Sequence, residues 1–254
     1  MISVTFDGNN IGAIENIEIT DRLVNSLPSR NLSIHKLARV DKSVNTSAEF
    51  ATKNITIKGI IKGGNKNTAE NALATLKGLL IQREKVLSLS QYGEDIEYIA
   101  TLESIKDKWI GGFVEFELNF ICADPVGYSL VETTLINNQS NTSSSWNEQI
   151  TIEGSYKAEP IIEVTVSALT GGTTKDITIR NDETGQGITI TKTWTAGESI
   201  IIDCKEKTVS VDGSYIEYSG TFPTFYPGTR VLGYNDTLTT RTVYITATYH
   251  KGYI

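Results

Sequence analysis

Residues 115 to 125 read EFELNFICADP. Phe116, Leu118, Phe120 and Cys122 alternate with Glu115, Glu117 and Asn119, and the pattern stops at Asp124-Pro125. Strict period-two alternation buries one side of a segment and wets the other, which is the mark of a half-buried antiparallel strand. The abrupt stop leaves two readings, one strand among many in a single sheet or the last strand of a domain.

The chain has 254 residues, room for one large domain or two ordinary ones, and needs neither disulfides nor metals to bury a core. With 39% hydrophobic and 21% charged residues it falls among soluble globular proteins. MISVTFDG lacks the basic start and apolar run of a signal peptide, and no apolar stretch approaches the roughly 20 residues of a spanning helix. The expectation is a chain made and kept soluble in the cytoplasm, without membrane insertion. Cys122 and Cys204 each end an apolar run, and are expected as buried thiols rather than a disulfide. A net charge of -7 argues against binding nucleic acid through its phosphates, which takes concentrated Lys and Arg.

Upstream of the opening stretch, Ile2, Val4 and Phe6 alternate, Asp7-Gly8-Asn9-Asn10 turns, and Ile17 and Ile19 resume, which predicts a β-hairpin. Asp21 to Ser47 has no sustained period and reads as a long excursion; loops of that length are usually functional. KNITIK, residues 53 to 58, is a short strand. Beyond it Ala69, Ala72, Leu73, Leu76, Leu79 and Leu80 recur at helical spacing, with Asn67 as the cap and Glu70 three residues on. VLSLS, IEYIATLESI and GGFVEFELNFIC follow as strands.

Residues 137 to 147, NNQSNTSSSWN, hold too little apolar surface for an element of their own and read as a loop or linker. Past them the texture turns all-β. IIEVTV, DITIR, GITITKTW, SIIIDC, TVSV, YIEY and TVYITATY are separated by Gly171-Gly172, Asn181-Asp182, Gly197, Asp212-Gly213 and Asn235-Asp236. Alternating strands with turn signals about every ten residues predict an antiparallel β-sandwich, with a type I′ hairpin at Asp212-Gly213.

Catalytic signals are sparse. His35 and His250 are the two histidines, and there is no G-x-S-x-G elbow. The nearest approach to a phosphate loop, GIIKGGNK at residues 59 to 66, has Asn65 in place of the lysine. No spacing matches a known metal motif. Thirty acidic residues offer many carboxylate pairs and single out none. We therefore assign no catalytic, cofactor or metal residues and expect no enzyme. Trp194, in phase with Ile188 and Ile190, reads as core. The prolines and glycines of GTFPTFYPG, residues 220 to 228, predict a shaped loop with Phe222, Phe225 and Tyr226 exposed. Such aromatics motivate an alternative, a carbohydrate-binding β-sandwich module for host cell-wall glycans.

GSYKAEPIIEVTV (154 to 166), ITIRNDETGQGITI (177 to 190), AGESIIIDCKEKTVSVDG (196 to 213), GTFPTFYPGTRVL (220 to 232) and TVYITATYHKGYI resemble, in that order, the C-terminal part of the siphophage distal tail protein family, called Dit. FICADP resembles the end of that family's first domain. The resemblance implies a mainly β chain: an N-terminal, tail-tube-like, ring-forming domain with one α-helix over residues 1 to 128, then a galectin-like antiparallel β-sandwich over residues 129 to 254.

It also implies a structural protein of the virion, assembled in the host cytoplasm into a homohexameric ring at the tip of a long non-contractile tail. Tail-tube and tape-measure proteins would lie above it, a tail fibre or lysin and receptor-binding proteins below, and DNA would pass through unbound. In such a ring the excursion from Asp21 to Ser47 would be a belt around the neighbouring subunit. Glu115 and Glu117 would face the lumen or its rim and repel DNA.

Overall fold

The computed structural model describes residues 3–24, 27–36, 43–170 and 174–254, with backbone alone for 32–36 and 43–48. The chain divides into two units, residues 1–130 with 254, and residues 131–253.

In the first unit the order is β1 (Val4–Phe6), β2 (Asn9–Asn10), β3 (Ile17–Leu23), β4 (Arg30–Lys36), β5 (Ser43–Phe50), β6 (Lys53–Ile61), α1 (Lys66–Leu80), β7 (Lys85–Gln91), β8 (Glu94–Ile110) and β9 (Phe113–Cys122), followed by the start of β10 (Gly127–Asn141). β8 belongs to three ladders, the shortest a pairing of Ile96 and Glu97 with Ser129 and Tyr128 at the start of β10. The β8 residues from Glu94 to Ala100 pair with β7, and those from Thr101 to Ile110 pair with β9. One run of strands is therefore β2-β1-β7-β8 and the other β8-β9-β6-β3. The alternation in EFELNFIC sends Phe116, Leu118, Phe120 and Cys122 inward, all buried. There Phe6 and Phe120 meet with ring centroids 5.5 Å apart. Each such side chain contributes about 1.5–3 kcal/mol by leaving water. β9 lies between β6 and β8, an interior strand, which is why its inward row is apolar throughout.

α1 buries Ala69, Ala72, Leu73, Leu76 and Leu80, the expected stripe. Its cap is Asn65, not Asn67: Asn65 Oδ1 accepts from Thr68 N at 2.9 Å, so the helix starts two residues earlier than its apolar period shows. The N-terminal hairpin closes at Asp7-Gly8, both with positive φ, but its return strand is only β2. Ile17 and Ile19 belong instead to β3, which pairs with β6. The excursion from Asp21 to Ser47 is also not a loop. Within it β4 and β5 form an antiparallel arm that pairs with no other strand among the described residues. Residues 37–42, at its far end, lie outside the described residues. The arm leaves from a closed base, where Ala51 N donates to Ser29 O at 2.7 Å.

The second unit contains the rest of β10 and then β11 (Ser145–Ile152), β12 (Ile161–Thr170), β13 (Lys175–Asn181), β14 (Gly187–Lys192), β15 (Ser199–Asp203), β16 (Thr208–Val211), β17 (Ser214–Tyr215), β18 (Ser219–Gly220), β19 (Gly228–Asp236) and β20 (Thr240–Tyr253). One sheet runs β17-β16-β15-β12-β20-β10 and the other β11-β19-β13-β14-β18. Ile162, Val164 and Val166 on β12, Val243, Ile245 and Ala247 on β20, and Ile177, Ile179, Ile188 and Ile190 on the facing sheet make one dry core with Trp194. Trp194 Nε1 donates to Lys175 O at 3.0 Å, so the indole brings no orphaned donor into that core. Asp212 and Gly213 both have positive φ, as a type I′ turn requires.

Three segments differ from expectation here. NNQSNTSSSWN is mostly strand, the end of β10 and the start of β11, with only residues 142–144 between them. A polar strand needs partners for its backbone, not a buried face, and Ile136 and Ile150 anchor it to the core on either side. YIEY contributes only Tyr215 to a strand, and Asn235-Asp236 ends β19 rather than turning. The turn expected at Gly171-Gly172 lies outside the described residues.

Two charged clusters hold this unit. Arg241 Nε lies 2.9 Å from Asp236 Oδ2, with side-chain exposures of 11% and 0%. Glu159 accepts from Lys207 at 2.9 Å and Lys157 at 3.1 Å. Burial pushes the Glu159 carboxyl up, but the hydrogen bonds from Lys207 and Lys157 outweigh it, and the group ends below the ordinary glutamate range.

A Cβ on Gly127 would lie 2.4 Å from Tyr98 Cζ, so Gly127→Ala is expected to lower stability by about 1–3 kcal/mol, read as a lower urea midpoint at unchanged slope. Arg241→Met strands a buried carboxylate and is expected to cost about 3–5 kcal/mol in the same assay. Glu159 has a depressed folded pKa, so its contribution is complete above the unfolded value of about 4.3 and is lost as pH falls through the folded one. The stability gap between the wild-type chain and Glu159→Gln, measured by urea titration, is therefore expected to be full at pH 7 and to narrow as the pH falls below the unfolded value.

Candidate functional site

The wet side of β9 carries Glu115, Glu117 and Asn119, flanked by Lys58 and Thr56 of β6 and by Lys108, Lys106 and Ser104 of β8. Glu117 lies 2.9 Å from Lys106 Nζ and 3.8 Å from Lys58 Nζ, and also accepts from Asn119 Nδ2 at 3.2 Å. The hydrogen bond from Lys106, then that from Asn119, holds its carboxyl below the usual range. Glu115 stands opposite Lys108 in the ladder, and Glu18 on β3 pairs with Lys62. An open cleft of about 500 Å³ passes Lys58, Lys106, Lys108, Asp107, Glu115 and Glu117. The two glutamates expected as an acidic wall therefore sit among lysines, and this face is charge-balanced. Pairing, not repulsion, is what the alternation encodes here.

The aromatic loop is also reordered. Phe222 is 7% exposed and Phe225 fully buried, while Tyr226 is 58% exposed. Phe225 is pinned by a two-way bridge to Ala158, with N–H···O distances of 2.9 and 2.7 Å, and Asn181 Nδ2 donates to Thr224 O at 2.7 Å. Phe222 stacks edge-on against Tyr218 at 5.1 Å, under Lys207. Phe222 and Phe225 are thus core residues, because the prolines and glycines shape a strap across the end of the sandwich instead of a free loop. Of the three only Tyr226 remains outward, so this loop does not itself present a pair of exposed aromatic rings. Sequence reasoning missed Trp109, Ile110 and Phe113, each 40–50% exposed at the turn between β8 and β9, where Gly111-Gly112 was the available signal.

His35 lies on β4 in the first unit and His250 on β20 in the second. Cys122 and Cys204 are free and buried, and burial pushes both thiols up to about 12. Among the described residues no group of three or more His, Cys, Asp or Glu is arranged to hold a metal, and no helix is long and apolar enough to cross a membrane.

No curated protein matches this chain. Residues 153–253 match the family model of the siphovirus-type tail component, C-terminal domain. Among solved structures, the chain is similar to the SPP1 Dit (gp 19.1) protein, a paradigm of the hub adsorption apparatus in Gram-positive infecting phages, with a TM-score of 0.76, 16% identity and 100% of both chains covered. It also aligns with a chain of the phage p2 baseplate in its activated conformation, in calcium and strontium forms, at a TM-score of 0.41 and 9% identity over 97–98% of each chain. Residues 153–253 thus match a siphovirus-type tail component C-terminal domain, and the whole chain has the fold of the SPP1 Dit protein.

Proposed function

We propose that this chain is a structural hub of a long non-contractile phage tail. Six copies form a ring that joins the tail tube to the proteins of the tail tip, and DNA passes through the central channel without being bound. The carrying observation is the match of residues 153–253 to a tail-component domain. The full-length likeness in fold to a hub protein supports it. In this reading the first unit builds the ring and the second is a galectin-like sandwich on its outside. Tail-tube and tape-measure proteins stack above, and a fibre or lysin and receptor-binding proteins attach below. Glu115 and Glu117 lie at the channel or its rim, where their lysine partners keep the wall from becoming an acidic barrier.

The β4–β5 arm supports this reading on physical grounds. A two-stranded ribbon alone is marginal in water, and this one has no third strand among the described residues. Docking on a neighbouring subunit would supply the missing burial and close its free edges. Because Ser29 and Ala51 are hydrogen-bonded, residues 30–50 can be replaced by a short turn without pulling the domain apart. Native mass spectrometry and negative-stain imaging of the full chain are expected to show a hexameric ring. The arm-replaced chain is expected to stay folded and to lose the ring. A wild-type chain that stays monomeric at high concentration, with and without tail proteins, would sink the proposal.

A further inference from the structure

The border strands of the second unit differ sharply from one another. The five-stranded sheet ends on one side at β18, which has 2 residues, and on the other at β11, which has 8. β11 pairs with β19 in unbroken register from Ser145↔Asn235 to Ile152↔Gly228, and with no other strand among the described residues. A very short strand blunts a sheet edge, whereas a long straight one presents a row of unpaired backbone groups.

Asp236 N donates to Ser144 O at 2.9 Å, which fixes the phase of the ladder. Even-numbered residues bond to β19, so Ser145, Asn147, Gln149 and Thr151 direct their N–H and C=O groups outward. These four are also the residues whose side chains are exposed, while Ile150 and Ile152 are buried in the core. β11 lacks proline, lysine and any register shift, and its one charge, Glu148, is on the row that turns inward. β3, a border strand of the first unit, is protected by the usual devices: a shift between Ile19 and Asp21, and the charges of Glu18, Asp21 and Arg22.

We infer that β11 pairs antiparallel with β11 of a second copy of this chain. Copies with a net charge of -7 repel, so contact between them is favoured where charge is missing, and the outward row of β11 carries none. A two-fold axis through Gln149 sets outward-bonding residues against each other, Asn147 opposite the copy's Thr151 and Gln149 opposite itself. Glu148 then faces the copy's Ile150. Centring the pair on Glu148 would instead place two carboxylates directly opposite each other, so charge selects the Gln149 register. The contact is self-complementary, as a two-fold interface must be, and extends one sheet across two molecules.

The test uses the full chain in sedimentation equilibrium. Gln149→Pro removes an outward N–H and no bond to β19, so its assembly is expected at half the wild-type mass with an unchanged melting temperature. Asn147→Lys with Thr151→Lys, which sets lysine against lysine and spares the β19 ladder, is expected to do the same. Gln149→Cys, at a hydrogen-bonded pair with Cα atoms about 5.5 Å apart, is expected to form a disulfide-linked dimer on mild oxidation. Equal masses for the wild-type chain and a folded edge variant, or a Gln149→Cys chain that stays uncrosslinked, overturn the inference. Equal masses are also what an edge reserved for an extended segment of another protein would give.

Discussion

Every backbone N–H and C=O taken from water needs a partner, and in a chain built almost wholly of strands that requirement falls on the sheet borders. It accounts for the length of β8, which pairs with β7 and β10 along its first half and with β9 along its second. It explains the two-residue strands β2, β17 and β18, which end ladders where nothing further can pair. It also leaves conspicuous residues of the constraint, the β4–β5 arm and the outer side of β11. The assembly proposed above would draw on those unfinished ladders rather than on a pocket.

Side-chain periodicity was a good guide wherever one face is dry. The inward rows of β9, β12 and β20 and the stripe of α1 are readable because burial forces apolar residues to recur at a fixed period. It failed where strands are wet on both faces. Asn137 to Ser140 are exposed in succession and look like a loop because their stability comes from main-chain pairing, which leaves no mark on side-chain polarity. The helix start went astray for a related reason, since Asn65 caps from outside the apolar stripe. The resemblance drawn from the second half held, because turn glycines and inward β-branched residues together constrain a sandwich more tightly than either does alone.

The candidate site was harder to read than the fold. Glu115 and Glu117 were identified as wet, but the alternation of β9 says nothing of Lys58 and Lys106, which come from the two strands beside it and turn an acidic row into a neutral one. Phe222 and Phe225 were misplaced for the opposite reason. Proline and glycine reveal a turn, but not which way it folds, and here the backbone bridge to Ala158 swings both rings inward. In both cases the deciding partner lies across a sheet or across the end of the sandwich, beyond the reach of a local pattern.

The two cysteines bear on how such a protein ages. Burial pushes both thiols up to about 12, so the reactive thiolate is scarce at neutral pH, and neither sulfur is exposed. A chain folded in a reducing compartment and later carried into air-saturated surroundings would therefore keep its original chemistry, with no disulfide scrambling and little oxidation. Burial of Cys122 behind β6 and of Cys204 in the sandwich core makes the molecule indifferent to the redox potential outside it.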